Sequence, residues 1–82
     1  MKYRIVWANS VWEVFHELPQ RDRDEILAHL KYLEHFPHMY PARTRSRWFR
    51  RHRWFQAGNW VVYYRVANGT VYVRGIWPAR IP

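Results

Sequence analysis

The sequence predicts an α+β fold in which a small, twisted, mostly antiparallel sheet carries two helices on one face. Stretches rich in β-branched and aromatic residues lie at the start of the chain and throughout its second half. Two stretches with apolar residues at helical spacing lie between them, and Asn68-Gly69 is a hairpin turn signal. The predicted order is therefore β-α-α-β-β-β, and 82 residues hold one domain, 1–82.

The first half of the chain predicts one strand and two helices. Residues 3–8, YRIVWA, alternate as a strand does. A short helix follows in NSVWEVFHELP, where Ser10 and Glu13 have capping-box spacing and Pro19 ends the helix. Residues 20–37 then form a longer helix, whose first turns are acidic where the helix dipole favours negative charge.

The second half predicts three strands joined by short turns. The strands are expected at 47–56, 60–66 and 71–77. The turn at 57–59 contains a glycine, as does the hairpin at 67–70. Neighbouring strands joined by such short turns must run antiparallel.

Positive charge is concentrated in this second half. All six acidic residues lie between positions 13 and 34, so the first 42 residues have a net charge of −1 and the last 40 have +9. Twelve of the 14 basic residues are arginine, whose planar guanidinium binds phosphate with two hydrogen bonds. A half of the chain that carries only positive charges attracts polyanions. This favours binding of a phosphate-rich partner over the alternative that the basic surface only keeps the protein soluble.

Composition excludes several classes of protein. Without cysteine the chain has no disulfide, thiolate metal site or cysteine nucleophile, which suits a reducing compartment. The N-terminal apolar run is too short for a signal peptide and no stretch reaches a membrane span, so we expect a cytoplasmic protein with no membrane partner. The histidines lack metal-ligand spacing and the basic half has no carboxylate, so we predict no metal and no cofactor.

The most basic segment is RTRSRWFRRHRWF, from Arg43 to Phe55. Its first part is expected to be a flexible approach to phosphates, and Trp48 either stacks on a base or packs against the fold. The predicted RNA contacts are Arg43, Arg45, Arg47, Trp48, Arg50 and Arg74.

Strand alternation divides the rest of this segment between two faces. Arg51, Arg53 and Phe55 share one face, with His52 and Trp54 opposite. We expect the arginines to point outward and Trp54 to point toward the helices.

Three stretches resemble the RelE/ParE superfamily of type II toxins. They are LPQRDRDEILAHLKYLEHFP, RRHRWFQAGNWVVYYRV and VYVRGIWPAR. The similarity covers nearly the whole chain and lies in the order of elements more than in any single motif. The short connection between the helices is more similar to RelE-type members than to ParE-type gyrase poisons.

The resemblance implies an mRNA interferase, an endoribonuclease toxin with the ribosome and mRNA as partners and a cognate antitoxin. RelE-type toxins cleave mRNA in the ribosomal A site without a metal, by attack of the 2′-hydroxyl on its neighbouring phosphate. The family's catalytic cations fall on Arg51, Arg53 and, with a one-residue slip, Arg80. Its strand arginine falls on Trp60, and its C-terminal aromatic or histidine has no counterpart.

The proton acceptor for such a reaction is not an arginine, because the guanidinium stays charged near neutral pH. His52 is the only histidine in the basic half and its usual pKa suits acid–base chemistry. The alternative to an acid–base role is that His52 packs between the helices and the sheet. Tyr63 and Tyr64 offer hydroxyls or stacking rings, but strand tyrosines more commonly pack.

Three functions are open from the sequence. The first is a RelE-like, ribosome-dependent mRNA endonuclease. The second is a ParE-like or catalytically silent toxin that inhibits a protein target such as gyrase. The third is an RNA-binding module that contacts the RNA backbone without cleaving it.

Overall fold

The computed structural model describes residues 2–42 and 49–79, and in these ranges it has two helices and four strands. In chain order they are β1 (Arg4–Trp7), α1 (Asn9–Glu17), α2 (Gln20–Leu33), β2 (Arg53–Ala57), β3 (Trp60–Ala67) and β4 (Thr70–Pro78). The predicted β-α-α-β-β-β order is confirmed. Neither helix is long and apolar enough to cross a membrane.

The four strands form one mixed sheet in the order β1-β4-β3-β2. β2 pairs antiparallel with β3, and β3 pairs antiparallel with β4. β1 pairs with β4 in parallel, after the chain has passed through both helices and two strands. The sheet is therefore mostly antiparallel, as predicted.

Both helices cover the same side of this sheet. Apolar residues of α1 and α2 join apolar residues of β2, β3 and β4 in a single cluster. The members of this core are Val11, Phe15, Leu18, Ile26, Leu30, Leu33, Phe55, Ala57, Val62, Tyr64, Val71 and Val73. We call the side of the sheet away from the helices the open face; it includes Val61, Tyr63 and Arg65 of β3 and Tyr72, Gly75 and Trp77 of β4.

The start of α1 differs from the prediction. Its N-cap is Ala8, with no side-chain cap hydrogen bond, so the capping box of Ser10 and Glu13 is wrong. The sheet holds this residue instead, because the Ala8 N–H donates to the Val73 carbonyl at 3.1 Å. Trp12 N–H then donates to the Ala8 carbonyl at 2.9 Å, so the helix begins where the strand ends.

The start of β2 also lies later than predicted, at Arg53. It is preceded by a turn at 49–52, in which the His52 N–H donates to the Phe49 carbonyl at 3.0 Å. Phe49 and Arg51 have φ values of 55° and 67°. This left-handed conformation does not occur in an extended strand.

Candidate functional site

A row of side chains crosses the open face at the level of Tyr72. In the register of the sheet, Val6 of β1 lies opposite Tyr72 of β4, and Tyr72 lies opposite Arg65 of β3. Arg53 of β2 pairs with Tyr64 of β3, and continuing this register by one residue places His52 beside Arg65. Arg74 is the extra residue where the register of β3 and β4 shifts, and such a bulge re-aims a side chain.

Two guanidinium groups therefore lie near one histidine, close enough for their charges to act on it. Arg65 and Arg74 are exposed, whereas His52 is half-buried. Burial lowers the pKa of His52 below its ordinary value, and the charges of Arg65 and Arg74 lower it further, while a hydrogen bond to Arg50 opposes the shift. The imidazole is consequently neutral at pH 7.

The hydrogen bond to Arg50 also determines which imidazole nitrogen can accept a proton. His52 Nδ1 lies 3.2 Å from the Arg50 carbonyl oxygen, and since a carbonyl only accepts, Nδ1 carries the proton. The lone pair is then on Nε2, which is enclosed and has no hydrogen-bond partner among the described residues. A neutral imidazole beside two fixed cations can accept a proton while the cations hold a phosphate.

Arg53 does not belong to this group. Its Nη1 donates to the Tyr40 carbonyl at 2.6 Å and to the His38 carbonyl at 3.2 Å, on the helix side of the sheet. The predicted outward orientation of Arg53 is wrong, as is the predicted helix-side orientation of Trp54, which lies on the open face. Arg53 and Phe55 do share a face, as predicted. Because Phe55 is 2% exposed in the core, this shared face is the one that points toward the helices.

The other predicted site residues fall into two sets. Arg50 and Arg51 are exposed in the turn at 49–52, directly before His52. The remaining predicted residues lie outside the part of the chain that the structure describes; they are Arg43, Arg45, Arg47, Trp48 and Arg80.

The tryptophan in the place of the family's strand arginine has a structural partner. Trp60 lies on the helix side, where its indole Nε1–H donates to Asp22 Oδ2 at 2.9 Å. Arg65, on the same strand, supplies a cation to the open face instead. Arg65 was not among the predicted site residues, although Val62 and Tyr64 are apolar and even-numbered, so that alternation places the odd-numbered Arg65 opposite the core.

Other candidates have structural surroundings. Tyr64 is fully buried, its hydroxyl donates to the Pro37 carbonyl at 3.0 Å, and burial raises the pKa of Tyr64 to about 12. Within residues 2–42 and 49–79, no three His, Asp or Glu side chains form a group that could hold a metal ion.

Comparison with known proteins gives a family and a fold. The family model described as the ParE toxin of type II toxin-antitoxin system, parDE, matches residues 5–81. A solved archaeal RelE-RelB complex from Pyrococcus horikoshii OT3 contains a chain of similar structure, with a TM-score of 0.71 at 19% identity. The match covers 96% of this chain and 97% of that chain, which shows a shared fold. No curated protein matches the sequence.

Proposed function

This chain belongs to the ParE toxin family of type II toxin-antitoxin systems, and we propose that it inhibits translation by cleaving mRNA on the ribosome without a metal. The observation that carries the proposal is that the pairing of β2, β3 and β4 brings Arg65, Arg74 and His52 to the same part of the open face, where both charges act on the imidazole. Phosphate and a proton acceptor would meet there, and single-stranded RNA supplies a phosphate next to every 2′-hydroxyl.

The cleavage we propose begins when RNA binding has uncovered Nε2 of His52, which is enclosed in the free protein. The 2′-hydroxyl then attacks the neighbouring phosphorus, and its proton passes to that nitrogen. The lowered pKa leaves this nitrogen unprotonated at neutral pH. Arg65 and Arg74 stabilise the negative charge that develops on the phosphorane. The bond from phosphorus to the 5′-oxygen then breaks, the imidazolium returns its proton to that oxygen, and a 2′,3′-cyclic phosphate and a 5′-hydroxyl remain.

The exposed arginines of the turn extend the same cationic surface. Arg50 and Arg51 precede His52 and are exposed to solvent, so we assign them to phosphates that flank the cleaved one. Each phosphate contact to single-stranded RNA makes the slope of log K against log salt concentration steeper by ~0.7. Arg43, Arg45, Arg47 and Trp48 stay predicted RNA contacts, and Arg80 stays a predicted catalytic cation.

Cleavage can be tested in a translation extract by mapping new mRNA 5′ ends after addition of the protein. For the wild type we expect ends within the A-site codon. The cleavage rate should be lower by about 100-fold or more in Arg65→Met, Arg74→Met and His52→Gln. Arg21→Met is the matched control, because Arg21 is an exposed cation on α2, away from the open face. Undiminished cleavage by the three variants would contradict the site.

A second candidate function is inhibition of a protein target such as gyrase. The observation that favours it is the family itself, since the matching model describes a ParE toxin. A DNA supercoiling assay with the same preparation separates the two functions. Lost supercoiling without new mRNA ends favours the second candidate, whereas RNA binding without either effect indicates a non-catalytic RNA-binding module.

We infer an antitoxin as a partner of this chain. Its family acts within toxin-antitoxin systems, and a net charge of +8 favours an acidic binding segment. Co-expression with the product of the neighbouring open reading frame is expected to give a stable complex and relief of toxicity. Failure of both would contradict this partner.

A further inference from the structure

The ring of Phe49 fills a flat slot on the open face. It stacks on the ring of Tyr63, with centroids 4.4 Å apart and an interplanar angle of 4°. Trp77 stands edge-on at 6.2 Å and 72°. The floor of the slot is Gly75, where a Cβ atom would come within 2.5 Å of the Phe49 ring. The slot therefore accepts one planar ring because residue 75 has no side chain.

The backbone that carries this ring is strained. Phe49 has φ 55° and Arg51 has φ 67°, and neither residue is a glycine. Left-handed backbone is unfavourable for residues with a Cβ atom, and such strain is concentrated at functional and switching segments. Packing of the Phe49 ring thus holds the turn at 49–52 in a conformation that its own backbone disfavours.

The slot adjoins the candidate catalytic group. Gly75 follows Arg74, and Tyr63 lies two residues before Arg65 on the same face of β3. The ring of Phe49 also packs edge-on against the ring of His52 at 5.4 Å and 77°. A ring held in this slot therefore lies next to both cations and to the histidine that we assign to proton transfer.

We propose that the slot is a nucleobase subsite, in which one base of the RNA replaces the Phe49 ring on Tyr63; this rests on the proposed function in that the ligand is RNA. A base is planar, as the slot requires, and aromatic stacking is the main source of base affinity in single-stranded recognition. When a base replaces the Phe49 ring, one ring stays stacked on Tyr63 and the strained turn at 49–52 can relax. Departure of Phe49 also removes one wall around His52.

Binding of two short RNAs tests the subsite without the ribosome. One carries 2-aminopurine, whose fluorescence is quenched by stacking, and the other is an abasic strand of the same length. Phe49→Ala vacates the slot, so it is expected to bind the 2-aminopurine strand about tenfold more tightly than the wild type and to quench it more strongly. Affinity for the abasic strand is expected to change within a few-fold only, because Arg65 and Arg74 lie on β3 and β4, outside the turn that the Phe49 ring holds.

Two further variants make the result specific. Tyr63→Leu removes the stacking surface and is expected to abolish the quenching, with thermal unfolding measured to confirm that the variant is folded. Phe36→Ala removes an exposed phenylalanine, 63% accessible, that follows α2 and has its ring against His35, and this variant is expected to behave as the wild type.

The outcomes separate the subsite from the proposed function. Equal or weaker binding of the 2-aminopurine strand by Phe49→Ala overturns the subsite, while abasic binding that depends on Arg65 leaves the proposed function in place. If the wild type and Phe49→Ala bind neither strand, the subsite is overturned, whereas the proposed function is decided by mapping mRNA 5′ ends in the translation extract.

Discussion

Exchange of Arg53 and Arg65 for methionine should separate a structural arginine from a functional one. Methionine keeps the apolar stem and removes the guanidinium. Arg53→Met loses charged hydrogen bonds to the carbonyls of His38 and Tyr40. Because only the second of these is partly buried, we expect a loss of about 2 kcal/mol in the free energy of unfolding. For a domain of 82 residues this lowers the melting temperature by about 8–16 °C.

Arg65→Met should have the opposite profile. Arg65 is exposed on the open face, so its replacement changes stability by no more than about 0.5 kcal/mol. RNA cleavage by this variant should fall by about 100-fold or more. Arg53→Met, measured below its melting temperature, should retain cleavage within a few-fold of the wild type.

Urea unfolding and mapping of mRNA 5′ ends on the same protein preparations measure both effects. If Arg53→Met were as stable as the wild type yet inactive, the guanidinium would act on RNA and our assignment of its role would be refuted. A large loss of stability in Arg65→Met would equally refute the open-face assignment.

Three further predictions concern groups that are wholly or partly buried. Trp60→Phe removes the bond to the buried carboxylate of Asp22 and should cost about 1.5–3 kcal/mol in urea unfolding, with RNA cleavage intact; unchanged stability would count against the bond. Tyr64→Phe should abolish the ultraviolet titration step near pH 12. Because the raised pKa in the folded state means that the unfolded chain ionises first, the wild type should lose stability more steeply than this variant above pH ~10; equal slopes would disprove it. His52 has a lowered pKa in the folded state, so the unfolded chain binds the proton first and the wild type should lose stability as pH falls below ~6.5, whereas His52→Gln should show a flatter profile between pH 7 and 5.

The order of elements could be predicted because each depends on neighbours along the chain. The second helix begins after Pro19, with Asp22 in its first turn, and its apolar spacing indicates one buried face. Asn68 and Gly69, both with positive φ, form the predicted hairpin between β3 and β4. Such signals are local, so they are readable without a tertiary structure.

Alternation along β2 was also predictable, but not the face that each residue takes. Arg53 and Phe55 share a face by the geometry of any strand. The sequence does not say where the helices lie, and the expectation that both residues point outward was wrong. Packing decided the matter, because burial of the Phe55 ring against α2 and the sheet is more favourable than its exposure.

The sequence alone determined the α+β order, the arginine-rich half and the family resemblance, because composition and periodicity are properties of the chain itself. Tertiary structure decided which cations act together. His52 and Arg74 are far apart along the chain, and only the pairing of β2, β3 and β4 brings them to the same part of the open face. The same pairing turns Trp60 toward Asp22 and leaves Arg65 at the surface. The surroundings of a strand residue depend on the face of the sheet on which it lies, and a sequence motif does not specify that face.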